Sequence, residues 1–234
     1  MPFEPPESNV FDQDFNYIRR RGRFTRAQAL AFEELAEAYR FKTTDLVGLD
    51  AIGIEIGFGM GLELIAWAEE HPELMILGVE LYQPGIGSML SRAAKQALKN
   101  IRLVDEPAQS LLARLPPGIA SEIRIFFPDP WPKKRHHKRR LIQLPFLDQL
   151  HHALASSAVV HLATDWAEYG EWMAECFAQH PGFELLSDQR QEEPRRASAS
   201  RPGGLTKFEA RGARLGHTIR DLRYRKLAGG DEGR

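Results

Sequence analysis

The 234-residue chain contains a single cysteine, Cys176, which excludes an internal disulfide and points to a reducing compartment. No stretch approaches the roughly 20 apolar residues that a membrane-spanning helix needs, so no membrane association is expected. The opening MPFEPPESNVFDQDF has acids and prolines where a secretory signal would need a basic end and an apolar run. A cytoplasmic location is therefore the expectation. Net charge is nearly absent: 31 Lys and Arg stand against 32 Asp and Glu, for a formal −1, which argues against a general polyanion binder. Internal repeats and long low-complexity segments are missing too. His136 and His137 have no cysteine or partner histidine at zinc spacing, so no metal is expected.

What charge there is, is clustered. RRRGRFTR (Arg19 to Arg26) holds five arginines in eight positions, and KKRHHKRR (Lys133 to Arg140) holds six Lys/Arg and two His in eight. Arg190 to Lys226 is also rich in arginine. A lone basic run is most simply a solvated loop. Three runs in one neutral chain point to nucleic acid, because phosphate binding needs local potential and distant acids are screened.

Residues 1–25 read as a flexible basic arm, 26–227 as one domain, and 228–234 as a flexible tail. Ala27, Leu30, Ala31, Leu35 and Ala38 predict a leading helix over 26–41. Strands are then predicted at 51–56, 74–80, 101–104, 123–127 and 158–163. Helices alternate with them at 62–70, 85–99, 108–115, 141–154 and 166–177, with Pro145 kinking or opening the fifth. Two further strands, 183–187 and 218–226, flank a polar, Arg-rich loop. This pattern predicts an α/β fold with a mostly parallel, Rossmann-like sheet, an antiparallel edge hairpin and helices on both faces. Ligands of such sheets sit at the carboxyl ends of the strands.

The first predicted strand runs into Glu55-Ile56-Gly57-Phe58-Gly59-Met60-Gly61. Glycines there allow a tight turn and let backbone N–H groups approach a ligand, although a plain strand-to-helix turn would look similar. The spacing is Gly-x-Gly-x-Gly, with Leu62 where the dinucleotide fingerprint has its last glycine, and no Gly-Lys-Ser/Thr marks a P-loop. Glu80, 19 residues after Gly61, ends the next strand, where a carboxylate can grip ribose hydroxyls. Glu55 would repel a pyrophosphate but suits the cationic amino acid end of S-adenosylmethionine. The charge logic favours that cofactor over NAD.

The fourth strand delivers Pro128-Asp129-Pro130-Trp131 to the same edge. Two prolines stiffen the loop and hold a carboxylate and an indole where a transferable methyl should lie. The simpler alternative is a rigid turn with Trp131 as packing. Asp129 is the candidate catalytic residue.

The motifs EIGFGMG (Glu55–Gly61), GVE (Gly78–Glu80), FFPDPWPKKRHHKRR (Phe126–Arg140), TDW (Thr164–Trp166), TKFE (Thr206–Glu209) and RLGHTIRDLRY (Arg214–Tyr224) occur in that order. Together they resemble the bacterial tRNA (guanine-N7)-methyltransferase family, which modifies guanosine 46 of the variable loop. The resemblance covers about Arg19 to Lys226 and implies a class I, seven-stranded methyltransferase fold. It implies cofactor contacts from Glu55, Glu80 and Asp129, with Gly57, Gly59 and Gly61 forming the loop. Lys133, Asp165, Thr206, Lys207, Phe208 and Glu209 resemble substrate-binding positions, and Arg135, His136, His137, Lys138, Arg139 and Arg140 match an RNA-contacting run. Glu106 departs from the family's usual aspartate near the adenine, and Asp105 is the alternative. The implied partner is tRNA, and no obligatory protein partner is indicated.

A guanine N7 carries a lone pair and no proton, so its methylation needs no general base. A fixed carboxylate that orients the purine and favours its developing positive charge is what the step requires. Asp165 and Glu209 can also accept from a guanine N–H edge, although Asp165 could instead cap the following helix. Trp166, Tyr169 and Trp172 read as packing and Cys176 as an inert thiol. Two rivals remain: a class I methyltransferase with a small-molecule or protein substrate, and a non-catalytic tRNA-binding protein that keeps the fold.

Overall fold

A computed structural model of the chain describes residues 25–191 and 218–228. The N-terminal arm up to residue 24, most of the C-terminal tail, and the predicted substrate positions Thr206, Lys207, Phe208 and Glu209 lie outside the described residues. Seven strands form one sheet: β1 (Ile52–Ile56), β2 (Met75–Val79), β3 (Ile101–Val104), β4 (Ala120–Phe126), β5 (Leu154–Thr164), β6 (Phe183–Gln191) and β7 (Ile219–Lys226). Their order is β3-β2-β1-β4-β5-β7-β6. The first five run parallel, and β7 is antiparallel to both β5 and β6. The Rossmann-like sheet with an antiparallel edge hairpin is thus the observed architecture.

Among the described residues six α-helices cover it: α1 (Arg26–Tyr39), α2 (Leu62–Glu70), α3 (Gln83–Lys95), α4 (Ala108–Leu112), α5 (Leu144–Ala153) and α6 (Ala167–Gln179). Alternate residues of a strand face opposite sides of the sheet, and along β2 Ile76 joins one core cluster while Leu77 joins the other. The first cluster contains α4, α5 and α6 residues such as Leu111, Phe146 and Phe177. The second contains Leu64, Trp67, Met89 and Leu90 of α2 and α3. All five β1 residues are buried, as expected for the central strand of a two-faced sheet.

Local chemistry sets the helix ends. Thr25 opens α1 with a reciprocal cap: its hydroxyl accepts from Gln28 N at 3.2 Å, and Gln28 Oε1 accepts from Thr25 N at 2.9 Å. Pro145 sits in the first turn of α5, where its missing N–H costs nothing; the proline begins this helix rather than kinking it. Pro84 does the same for α3, which starts two residues ahead of the predicted Gly85.

Several elements extend beyond the periodicity, among them β4, which begins at Ala120 and not at residue 123. β5 begins at Leu154, four residues before the predicted start, because Leu154 pairs with Ala120 ahead of an irregularity in the ladder; Ser157 there takes a φ of 63°. β6 continues to Gln191 through polar residues because cross-strand charges secure it. Arg220 donates to both oxygens of Asp188 at 2.9 and 2.7 Å, and Arg225 donates to Glu184. The basic run Lys134–Arg139 folds as a short 3-10 helix. Among the described residues no helix is long and apolar enough to cross a membrane.

Gly53 of β1 marks a tight contact between sheet and helix. A Cβ there would lie 2.5 Å from the ring of Trp67, which is itself 2% exposed. Gly53→Ala is therefore expected to destabilise the domain by about 1–3 kcal/mol through overpacking, seen as a lower urea midpoint at unchanged m-value.

Candidate functional site

The strand order reverses between β1 and β4: β2 and β3 lie to one side, β5 to the other. Such a switch point leaves a crevice beyond the carboxyl ends of the two central strands, and the two loops singled out in the sequence leave from those ends.

The β1 loop is built on conformations that favour glycine. Gly57, Gly59 and Gly61 have φ of 78°, 55° and 75°. A Cβ on Gly57 or Gly59 would meet nothing within 4 Å, so the backbone here faces open space and can be approached closely. Gly85, at the start of α3, supports the loop from behind: a Cβ on it would come 2.1 Å from the Gly59 carbonyl oxygen. Glu55, at the end of β1, is 2% exposed.

Glu80 ties the β2 tip to this loop. Its Oε2 accepts from Gly59 N at 2.8 Å, and its Oε1 accepts from Leu81 N and Tyr82 N at 2.7 and 2.9 Å. Burial nevertheless raises the Glu80 pKa, against the lowering effect of those three N–H bonds, and the charge of Asp129 raises it further. Asp129 is thus within electrostatic reach of Glu80, and the structure brings the two predicted carboxylates to the same crevice.

At the β3 tip the two candidate acids part company. Asp105 pairs with Arg40 at 2.7 Å and lines a shallow cleft with Phe32, Leu81, Gln83 and Ile86. Glu106 is paired with Arg114 of the α4 flank. Asp105 is thus the acid of the two that lines this cleft, while Glu106 stands beside it at the same strand tip.

The β4 loop is bracketed by two strained residues. Phe127 and Trp131 have φ of 52° and 43°, a region that bulky side chains rarely adopt. Between them stand Pro128, the exposed Asp129 and Pro130. Trp131 is half-buried; the Arg139 guanidinium lies over its ring at 5.0 Å, and His136 meets its edge at 5.8 Å.

The basic run forms the flank of this loop. Lys133, Lys134, Arg135 and Lys138 are exposed, and His136, His137 and Arg139 are partly so. Arg140 differs: it is 1% exposed, and its side chain is spent on protein partners. This placement corrects its assignment to the RNA-contacting surface. At the β5 tip, Asp165 is half-buried and precedes Trp166, the N-cap of α6, whose backbone N–H donates instead to Thr164 Oγ1 at 3.2 Å. Tyr169 is fully buried, and Trp172 packs on the core and donates Nε1–H to the Ile142 carbonyl at 2.7 Å. Both are packing residues, as read from their spacing. Cys176 is also buried, and burial pushes its thiol up to about 11, consistent with an unreactive group.

Four acids (Glu55, Glu80, Asp105 and Asp129) thus cluster at one sheet edge, and the run from Lys133 to Arg139 lies beside them. The acids suit a ligand with a cationic end and ribose hydroxyls, and the glycine loop leaves room for it. The basic flank suits a polyanion. Sequence reasoning missed Phe32 and Ile86, whose positions on α1 and α3 read only as helix-core spacing.

A family model described as "Putative methyltransferase" matches residues 50–222. The chain is 41% identical over 223 residues to a tRNA (guanine-N(7)-)-methyltransferase of Edwardsiella ictaluri, covering 91% of each protein. It is 43% identical over 220 residues to the protein of that name from Nitrosococcus oceani, covering 90% of each. Among solved structures it resembles the 16S rRNA methyltransferase KamB, with a TM-score of 0.57 at 17% identity over 88% of this chain and 95% of that one. A second is the 16S rRNA (adenine(1408)-N(1))-methyltransferase of Catenulisporales acidiphilia, with a TM-score of 0.53 at 18% identity over 81% of this chain and 92% of that one. These likenesses establish the class I methyltransferase fold.

Desolvation, together with the positive charges of Arg139, Arg135 and Lys133, lowers the His136 pKa from its ordinary 6.5. Its imidazole is expected to titrate below that value in an NMR pH series and to be neutral at pH 7. Replacing Arg139 with Gln should move the titration upward, because one charge opposing protonation is removed.

Proposed function

Because the chain belongs to the bacterial tRNA (guanine-N7)-methyltransferase family, we propose that it methylates N7 of a guanine in tRNA, the guanosine at position 46 of the variable loop. The methyl donor in this reading is S-adenosylmethionine, which supplies an electrophilic methyl group on a sulfonium. The observation that carries the reading is that the segments bearing Asp129, Glu80 and the glycine loop all leave the carboxyl ends of strands around the β1/β4 switch point, with Glu80 bonded to Gly59 N.

The chain's residues then divide the work. Gly57 and Gly59 admit the donor against bare backbone, Gly61 lets the loop pack on Met89 of α3, and Glu55 faces the donor's cationic end. Glu80 receives the ribose hydroxyls, and Asp105, with Phe32, Leu81 and Ile86, borders the adenine side. Glu106, held by Arg114 as Asp105 is held by Arg40, is the second acid at this end. Asp129 orients the purine and stabilises the positive charge that moves onto it, without accepting a proton, since N7 carries none. Lys133, Asp165 and the segment Thr206 to Glu209 hold the nucleoside, and the exposed Lys134, Arg135 and Lys138 hold phosphates.

A labelled-donor assay with unmodified tRNA tests the proposal. Asp129→Asn keeps the size of the side chain and removes its charge, and is expected to lower kcat by about 100-fold or more, the scale of losing one preorganised electrostatic group. A folded variant at the parent rate would remove Asp129 from the mechanism. Transfer only to a metabolite or protein would support the different-substrate rival, and tRNA binding without transfer the non-catalytic one. Replacing Lys134, Arg135 and Lys138 together with Gln should raise the tRNA KM and flatten its salt dependence, each lost phosphate contact removing about 0.7–0.9 from the log–log slope.

A further inference from the structure

Arg140 closes the basic run, yet nothing about its surroundings fits a phosphate contact. Its side chain is 1% exposed, whereas Arg135 and Lys138 in the same run stand in solvent. Nε donates to the carbonyl oxygen of Pro130 at 3.0 Å, and Nη2 donates to Glu168 Oε1 on α6 at 3.0 Å. His137 Nε2 lies 3.0 Å from the same Nη2. The guanidinium lies over two aromatic rings, 5.1 Å from the centroid of Tyr169 and 5.0 Å from that of Trp172. A planar fork is thus fixed by two rings on its face and by acceptors in its plane, an arrangement an ammonium cannot reproduce.

The carbonyl it holds belongs to the residue after Asp129, inside the segment bracketed by the strained Phe127 and Trp131. Left-handed conformations at two bulky residues persist only where surrounding contacts over-determine them. Phe127 is fixed on one side by its N–H donating to Ala163 O at 2.8 Å. On the other side Arg140 holds the backbone at the Pro130 carbonyl, while Arg139 and His136 meet the Trp131 ring. We propose that Arg140 is the positioning residue of the Pro128–Trp131 loop: it anchors the loop to α6 through Glu168, Tyr169 and Trp172 and so sets where the Asp129 carboxylate stands. This inference rests on the reading of Asp129 given above. A small displacement of a reacting group has a large effect on rate, while the exposed charges that meet tRNA are left as they were.

The test is a comparison of steady-state constants for methyl transfer to unmodified tRNA. Arg140→Lys keeps the charge and removes the fork. It is expected to lower kcat by about 10- to 100-fold, the effect of roughly 1 Å of misplacement, with the tRNA KM and its salt dependence within about twofold of the parent. Glu168→Gln, at a half-exposed position, keeps Arg140 but weakens its outer tie, and should lower kcat by a smaller factor with KM again unmoved. If Arg140→Lys does not fold, Glu168→Gln carries the test. A parent-level kcat in a folded Arg140→Lys overturns the inference, as does a rise in tRNA KM with a flatter salt slope, which would make Arg140 a phosphate contact. A parent-level kcat in Glu168→Gln likewise overturns it. Asp129→Asn run in parallel separates the two readings. If it is inactive while Arg140→Lys is normal, only the Arg140 inference fails; if it is fully active, the reading of Asp129 itself fails.

Discussion

The reversal of strand order between β1 and β4 is the constraint from which the site follows. Parallel strands on either side of that line carry their helices to opposite faces, so the loops leaving β1 and β4 diverge and cannot cover each other. Glu80 fastens the tip of β2 to Gly59 through a backbone N–H. Gly85 lets α3 approach the same loop. Without the reversal, Asp129 and the glycine turn would lie under helices rather than beside one another.

The second organising feature is segregation of charge. A chain with nearly equal acids and bases places its acids at the strand tips and a dense basic segment on the adjoining flank. Burial acts against ionisation of Glu80, and the neighbouring Asp129 acts in the same direction. A cationic ligand between them would relieve both effects, which is a physical reason for the crevice to prefer one. The basic flank needs no such burial, since long-range attraction of a polyanion works through solvent and is set by local charge density.

Much of this could be read from the residues in order. α2 and β3 have the boundaries that apolar spacing and glycine punctuation gave them, because both are short, buried and closed by clear breakers. β5 and β6 run longer than their sequence pattern, because Ser156, Ser157, Asp188 and Arg190 carry no hydrophobic signal and are held by a ladder irregularity, a cross-strand pair to Arg220 and a pair to Glu171 of α6. Glu55, Glu80 and Asp129 were legible because loop chemistry marks strand ends. Arg140 was not, since a basic residue among basic residues looks solvated, and its burial depends on Tyr169 and Trp172 arriving from α6. The choice between Asp105 and Glu106 turns on side-chain direction, which spacing in a short turn does not fix.

β6 is the last strand of the described sheet, and an outermost strand offers a row of unsatisfied amides to any other strand. Leu185 and Leu186 are 55% and 44% exposed and adjoin the register shift between Leu185 and Ser187. Two apolar side chains on an open margin would invite one molecule to zip onto another. The same strand bears Glu184, Asp188 and Arg190, and its shifted ladder breaks the flat geometry such zipping needs. The ion pairs that lengthen β6 therefore have a second effect: they help to keep the protein from aggregating along its own rim.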